Sequence, residues 1–324
     1  MKYIITGATG HIGNNLTRYL LGKNEQVKIM IRNQKDQSII NLDCEKALGD
    51  VTDRTFLERA IEENSVVIHS AGIIDITNKH LDKMLEVNVK ATIDIVQECI
   101  KKHCKLIYIS STDALIPING IVSEPSSFPL EGLDNYYAIT KAMASDYVLK
   151  ALNQGLIKGT IVCPSCVLGI NDFKVSSQGS VVKNQINKKI GFNIKGHYNF
   201  VDVEAICAGI YQASLKNDLK PVYLFSGVDV AVKELYLAIF KATNKKSHFI
   251  YVPMFLARFA AIFTPIVTKV FKKKPVLTKM ALDTITLKMT FDNSLAISDL
   301  SLPVTSIDEL IVKTVNWFKD YQTK

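Results

Sequence analysis

Tyr3-Ile4-Ile5 runs directly into Thr6-Gly7-Ala8-Thr9-Gly10-His11-Ile12-Gly13, and the reading of this stretch decides the reading of the whole chain. Its glycines fall where an apolar strand must turn sharply into a helix. Gly7 permits the tight turn, Gly10 lets backbone approach a pyrophosphate with no side chain between, and Gly13 lets the helix pack closely on the strand. The free amides at such a helix start favour an anion. Gly7, Thr9, Gly10, His11, Ile12 and Gly13 are therefore candidate phosphate-binding residues. Three glycines would also suit a plain turn, so the pattern around them has to carry the reading.

That pattern alternates apolar runs with amphipathic stretches. It predicts strands at 2–6, 26–32, 45–48, 65–69, 105–110 and 159–163, and helices at 11–22, 53–62, 79–101 and 134–153. This is the rhythm of an α/β protein with a doubly wound parallel sheet. After Pro164 the rhythm breaks into a segment rich in Gly, Ser, Asn and Lys, before a helix near 202–215 and a strand near 222–226 return to the sheet. The expected division is a nucleotide-binding domain over 1–164, with 201–230 returning to it, and a smaller substrate lobe from 165–200 and 231–324.

At 324 residues and 48% apolar composition the chain can build such a core. No secretory pattern precedes the first strand, and six scattered cysteines read as free thiols of a reduced, cytoplasmic protein. Cys163 and Cys166 have CxxC spacing but lack a second pair of ligands, so no metal site is expected. The net charge of +8 is spread in lysine pairs and triplets without the interleaved aromatics that stack bases, which argues against a nucleic-acid partner. Residues 251–271 are long and apolar, but Arg258, Pro265 and Lys269 interrupt them. A core helix pair is one reading; an interfacial helix over 251–274, anchored by Lys272-Lys273-Lys274, is the other.

Tyr137 and Lys141 stand four residues apart on a predicted helix, so both project from one face. A lysine ammonium near a phenol stabilises phenolate and lowers the tyrosine pKa, making it a usable proton donor or acceptor. The fifth predicted strand ends in Ser110-Ser111-Thr112-Asp113, at the carboxyl edge where open parallel sheets bind ligands. A hydroxyl there can hold a substrate oxygen beside the tyrosine.

With these residues in view, the chain resembles the extended short-chain dehydrogenases/reductases, a group that includes nucleotide-sugar epimerases, dihydroflavonol reductases and 3β-hydroxysteroid dehydrogenases. The resemblance runs almost end to end. It implies a Rossmann fold, a TGxxGxxG loop at Thr6 to Gly13 and a catalytic YxxxK at Tyr137 to Lys141. It also implies an adenine contact at Asp50 and Val51, and a cofactor-facing backbone at Ser70, Ala71 and Gly72. Asn88 takes the place of a largely structural asparagine. The triad serine falls on Ser111, or on Thr112 if the match shifts by one. Phe200-Val201-Asp202-Val203 resembles the group's FVDV, and Pro164 and Val167 lie in its segment after the sixth strand. A helix-mediated homodimer is common in the group. Two departures matter: Cys163-Pro164-Ser165-Cys166-Val167-Leu168-Gly169 lacks the arginine and aromatic usual there, and Ala114-Leu115-Ile116-Pro117 replaces the VYG that usually follows the serine. Both lean away from nucleotide-sugar epimerases toward the reductase and hydroxysteroid branches.

The second strand ends in Ile31-Arg32, where an NAD enzyme would place an acid for the ribose hydroxyls. A guanidinium suits a 2′-phosphate, so NADP(H) is the expected cofactor, with NAD(H) the alternative and a merely exposed Arg32 the plain reading. The leading expectation is a reductase or dehydrogenase acting on a small carbonyl or alcohol, in which Tyr137 moves the proton, Ser111 orients the oxygen and Lys141 binds the ribose. Phe128, Pro129, Val167, Leu168, Phe192 and 251–271 would line an apolar substrate site. An NAD(P)-dependent epimerase or dehydratase is the second reading, and a non-catalytic NADP-binding sensor the third.

Overall fold

The computed structural model describes residues 1–75, 78–271, 282, 285–286 and 289–322. Its strands are β1 (Lys2–Thr6), β2 (Gln26–Ile31), β3 (Glu45–Leu48), β4 (Val66–His69), β5 (Lys105–Ile109), β6 (Ile121–Val122), β7 (Lys158–Pro164), β8 (Cys166–Leu168), β9 (Ile190–Asn193), β10 (His197–Asp202), β11 (Val222–Phe225), β12 (Val228–Ala231), β13 (His248–Tyr251) and β14 (Thr290–Phe291). Seven of them form one parallel sheet in the order β11-β7-β5-β4-β1-β2-β3. The chain runs outward from β1 through β2 to β3, then crosses back to lay β4 on the other side of β1. That reversal is a topological switch point, and the crevice beyond the carboxyl ends of β1 and β4 is where such sheets take ligands.

Apolar runs make these strands because both faces of a parallel sheet are covered. Tyr3, Ile4 and Ile5 of β1 and Val67 and Ile68 of β4 are fully buried. Helix α1 (His11–Gly22) buries Gly13, Leu16, Thr17 and Leu20, a stripe at helical spacing. Helix α2 (Arg54–Ala60) starts where the Asp53 side chain accepts from Phe56 N. The helix expected over 79–101 is three pieces: α3 (Leu81–Met84), a π-helical turn (Leu85–Lys90) and α4 (Ala91–Lys101). Its start is delayed because the Asp75 carboxylate takes the amides of Lys79 and His80. The wider turn carries Asn88, and such turns recur at functional sites. Helix α5 (Tyr136–Asn153) is capped by Asn135, whose side chain accepts from Ala138 N at 2.8 Å, so Tyr137 lies in its first turn.

The chain divides into two compact units, 1–165 with 203–226 and 291–303, and 166–202 with 227–290 and 304–324. The first contains the large sheet, the helices above and α7 (Val203–Leu215). It also takes Phe291–Pro303, which the sequence reading placed in the other lobe. Polar anchors explain the difference: Asp299 accepts from Lys216 and Tyr223, and Asn293 donates to the Ser226 carbonyl at 2.8 Å.

The second unit holds the sheet β12-β10-β8, the pair β13-β9, α6 (Ser177–Gln185), α8 (Val232–Ala242), α9 (Met254–Phe271) and a last helix, Ile307–Gln322. The span 165–200, expected as loop, contains β8, α6, β9 and part of β10. Its strands are three, four and six residues long, too short for an apolar run to announce them. Of residues 251–274, Lys272-Lys273-Lys274 lie outside the described residues. Among the described residues no helix is long and apolar enough to cross a membrane.

Candidate active site

The loop between β1 and α1 is built around missing side chains. At Gly7, with φ +72°, an added Cβ would meet Ala71 N at 2.6 Å; at Gly13 it would meet the Gly7 carbonyl oxygen at 2.4 Å. Both contacts are with backbone, so neither position admits an L side chain without moving the strand or the helix. Gly10 differs. Its φ is −87° and its Cβ would stand 3.2 Å from the Gly7 oxygen, so the fold alone scarcely demands glycine there. Gly10 is the N-cap of α1, no side chain caps that helix, and the Gly10 amide donates to the Gly7 carbonyl at 2.8 Å, closing the turn that presents the helix start. A cradle that side chains would fill and an uncapped helix start fit a nucleotide pyrophosphate.

The loop is tied to its neighbours by groups the sequence reading did not single out. Buried Asn14 donates to the carbonyls of Ala8 (3.2 Å) and Ser38 (2.9 Å), joining the phosphate loop to the loop that follows β2. Arg18 donates to the same Ser38 carbonyl at 3.0 Å. Their signal was a pair of long polar residues on the inward stripe of α1. Thr6 closes the other side: its carbonyl accepts from Ser70 Oγ at 2.8 Å and its hydroxyl oxygen accepts from Ala71 N at 3.2 Å.

At the end of β2, the Arg32 guanidinium lies 3.7 Å from the Asp50 carboxylate and is 73% exposed. Burial pushes the Asp50 carboxyl up, but hydrogen bonds from Thr52 and the charges of Arg32 and Lys83 hold it below its usual range. Val51 sits in the turn after Asp50. The two residues expected at the adenosine end are thus neighbours, one cationic and open to solvent.

On the far side of β1, Asn88 clasps the strand-end segment after β4. Its Oδ1 accepts from Ile73 N at 2.7 Å, and its Nδ2 donates to Ile73 O and to Thr140 Oγ1. A Cβ on Gly72 would lie 3.4 Å from Asn88 Oδ1 and 3.5 Å from Lys141 Nζ, which puts Gly72, Asn88 and Lys141 side by side. Buried His69 braces this edge between Thr6 Oγ1 (2.7 Å) and Thr92 Oγ1 (2.9 Å). Thr92 spends its hydrogen on the Asn88 carbonyl, so His69 must donate from Nε2 and accept at Nδ1. That requires the neutral ring, in keeping with burial and Lys141, which drive its pKa down to about 3.

The chemical residues meet above β5. Successive strand residues point to opposite faces, and Ser110 turns inward to Ser145 Oγ at 2.6 Å while Ser111 lies close enough to the Tyr137 phenol to act on its pKa. Of the two alternatives, Ser111 and Thr112, Ser111 is the one brought to the tyrosine. Its hydroxyl donates to Asp113 Oδ2 at 3.1 Å and its oxygen accepts from Asp113 N at 3.2 Å. Asp113 keeps an exposed side; the protein around it pushes its carboxyl up, Ser111 opposes the rise and Asp134 adds to it. Tyr137, Ser111 and Lys141 are all buried.

Lys141 departs from the expected arrangement. Its ammonium donates to the Ile109 carbonyl at 2.7 Å and lies 5.0 Å from the centre of the Tyr108 ring, rather than against the phenol of Tyr137. Burial lowers its pKa to about 8. Burial instead raises the Tyr137 phenol above its ordinary value, the Asp113 charge adds to that, and Ser111 opposes it. Helical spacing put Tyr137 and Lys141 on one face, but a carbonyl at the end of β5 took the ammonium. Pro164 ends β7 in this unit, whereas Val167 belongs to the second unit, in β8 opposite Val201 of β10.

Comparison with known proteins follows the same outline. The model of the 3-beta hydroxysteroid dehydrogenase/isomerase family matches residues 4–204. Sterol demethylase protein B of Methylococcus capsulatus is 26% identical over 99% of both chains. A putative dihydroflavonol 4-reductase of Synechocystis is 23% identical over 98% of this chain and 95% of its own. Among solved structures, a mutant UDP-glucuronic acid 4-epimerase of Bacillus cereus, in complex with a fluorinated UDP-glucuronic acid and NAD, superposes with a TM-score of 0.78 at 19% identity, over 99% of this chain and 100% of its own. At that identity the likeness shows the Rossmann-type fold. The family match over most of the chain, laid on a glycine cradle with tyrosine, serine and lysine at the sheet edge, makes this chain a member of the 3-beta hydroxysteroid dehydrogenase/isomerase family, and so an NAD(P)-dependent enzyme of the extended short-chain dehydrogenase/reductase type.

Proposed function

We propose that the chain is an NADP(H)-dependent oxidoreductase that interconverts a carbonyl and an alcohol on a small hydrophobic molecule. The observation that carries the reading is the buried Tyr137 placed beside Ser111 at the end of β5, with Lys141 one turn further along the same helix and beside Gly72. Gly7, Gly10 and Gly13 with the open start of α1 would hold the pyrophosphate, and Arg32 a 2′-phosphate, with Asp50 and Val51 nearby for the adenine. When bound, the nucleotide supplies or accepts the hydride. The chain's own part is proton handling: the Tyr137 hydroxyl gives its proton to the substrate oxygen in reduction and takes it back in oxidation, while Ser111 Oγ orients that oxygen. Lys141 Nζ, close to Gly72, holds the ribose of the nucleotide. A hydrophobic substrate is supported by the missing arginine and aromatic in Cys163–Gly169 and by relatives named for sterols and dihydroflavonols. Six free thiols fit a reducing cytoplasm.

The test is a titration with NADPH and NADH, followed by nicotinamide fluorescence, on wild type, Arg32→Ala and Tyr137→Phe. Loss of a charge-assisted phosphate contact in Arg32→Ala should weaken NADPH about tenfold and leave NADH unchanged. Tyr137→Phe should keep NADPH affinity and lose turnover across a panel of sterol and aromatic ketones. Equal binding of NADH would overturn the cofactor assignment. Inactivity on those ketones, with turnover of a sugar nucleotide and no net change in nucleotide, would replace the reductase with the epimerase.

A further inference from the structure

The second unit carries an apolar surface that the reaction leaves unexplained. Over 255–262 of α9 the buried residues are small: Ala257 and Ala261 join Val232, Leu282 and Ile285 in a cluster on which Met254 also packs. The large ones face out. Phe255, Phe259 and Ile262 follow at helical spacing along one face and are 69%, 61% and 68% exposed, with Leu256 beside them. Ile250 and Tyr251, at the end of β13, are exposed as well. A helix that only closed a core would show the reverse, since the wide apolar stripe of a surface helix normally faces inward. Large exposed apolar surface of this kind marks an interaction site.

Charge identifies the partner. Between Leu235 and Leu282 the sequence has nine lysines and arginines (Lys241, Lys245, Lys246, Arg258, Lys269, Lys272, Lys273, Lys274 and Lys279) and no aspartate or glutamate. This run exceeds the whole chain's net charge of +8, and the remainder is net −1. A second copy offering the same surface would set these positive charges against one another. An anionic lipid surface would attract them, while its acyl boundary accepts the aromatic and aliphatic side chains. Among the described residues no helix is long and apolar enough to span a bilayer, which leaves the in-plane geometry.

We propose that the face of α9 carrying Phe255, Phe259 and Ile262 docks the chain on an anionic membrane surface, these side chains entering the acyl boundary while the basic charge of the surrounding sequence supplies the attraction to lipid phosphates. The proposal stands apart from the substrate reading and needs no turnover to test. The full-length protein is floated with vesicles of phosphatidylcholine alone and of phosphatidylcholine mixed with phosphatidylglycerol, as wild type, as the double variant Phe255→Gln with Ile262→Gln, and as the triple variant Lys272→Gln, Lys273→Gln, Lys274→Gln. A cooperative thermal melt followed by circular dichroism, matching that of wild type, confirms that each variant is folded. Wild type should float with the anionic vesicles and not with the neutral ones. The double variant should bind about tenfold or more weakly, and the triple variant and high salt should each weaken binding severalfold. Failure of wild type to float with anionic vesicles, equal flotation with neutral ones, or flotation retained by the double variant overturns the proposal. So does a wild-type dimer that the double variant converts to monomer with neither protein floating, which would make this face a contact between copies.

Discussion

Gly13→Ala tests the nucleotide cradle most directly. The new methyl would stand 2.4 Å from the Gly7 carbonyl oxygen and 2.7 Å from Ser70 Oγ, where ordinary contact begins at 3.4 Å. The start of α1 must therefore withdraw by roughly 1 Å, an overpacking that costs about 1–3 kcal/mol. Alanine's better helix propensity offsets about 1 kcal/mol of that. The net loss is about 0–2 kcal/mol, a Tm lowered by up to a few degrees. Nucleotide binding suffers more, because a shift of about 1 Å carries an amide donor from about 2.9 to about 3.9 Å from a phosphate oxygen, outside hydrogen-bond range. Each charge-assisted bond lost is about 1.5–3 kcal/mol, so affinity should fall about tenfold to a hundredfold. Two companions separate fold from site. Gly22→Ala, at the other end of the same helix with nothing within 4 Å of its methyl, should raise stability by about 0.4–1 kcal/mol and leave affinity alone. Gly10→Ala, with its nearest contact at 3.2 Å, should melt within a few degrees of wild type yet bind nucleotide poorly, because its methyl stands in the approach. Thermal melts and fluorescence titrations read both quantities. Wild-type nucleotide affinity in a folded Gly13→Ala would refute the reasoning.

Lys141 carries its charge below about pH 8 and loses it as the pH rises through that value, so affinity for the anionic nucleotide should decline between pH 7 and 9; Lys141→Arg should flatten that decline, and a profile unchanged by the substitution would assign it elsewhere. Asp113→Asn removes the charge that helps raise Tyr137, so the basic limb of the pH–rate profile should move to lower pH, and an unmoved limb would detach Asp113 from the phenol. At the opposite edge of the sheet, Lys2 and Lys28 hold Glu45 and Glu62 in a four-residue network that depresses both carboxylates. The stabilisation is present above the unfolded carboxylate pKa of about 4.3 and is lost as the pH falls through the lower folded values. Both glutamates are partly exposed, so Lys28→Met should cost only about 1 kcal/mol at pH 7 and less as the network is protonated, measured by urea melts at pH 7 and pH 3; a gap that widens at low pH would contradict the network.

The large sheet was legible because its strands are buried on both faces and therefore appear as unbroken apolar runs: β1, β2, β4 and β5 each start and stop within a residue of where Val, Ile and Leu cluster. The glycine cradle was legible because close approach leaves a residue type behind. Asn14, Thr92 and Tyr108 were not, since a polar residue on an inward stripe declares its burial only when its partner, far along the chain, is known. The π-turn at Leu85–Lys90 was hidden too, because one extra residue in a turn hardly alters an i, i+4 pattern. In the second unit the pairing of β8 with β10 joins a strand of only three residues, Cys166–Leu168, to one of six with polar ends, His197–Asp202, and short strands of that kind look like loop.

The one site detail that helical spacing misjudged also gives the site its direction. An i, i+4 pair places Tyr137 and Lys141 on one face, and from that alone the ammonium should make phenolate. The carbonyl of Ile109 and the ring of Tyr108 draw the ammonium away, and burial with Asp113 nearby keeps the phenol protonated. A phenol held in its neutral form is suited to give a proton to an oxygen more basic than itself, and the alkoxide formed when hydride reaches a carbonyl is such an oxygen. Taking a proton from an alcohol would first require phenolate, which these residues disfavour. On the proposed reading these side chains favour proton donation by Tyr137, the step that accompanies carbonyl reduction, and Asp113 strengthens that preference while Ser111 opposes it.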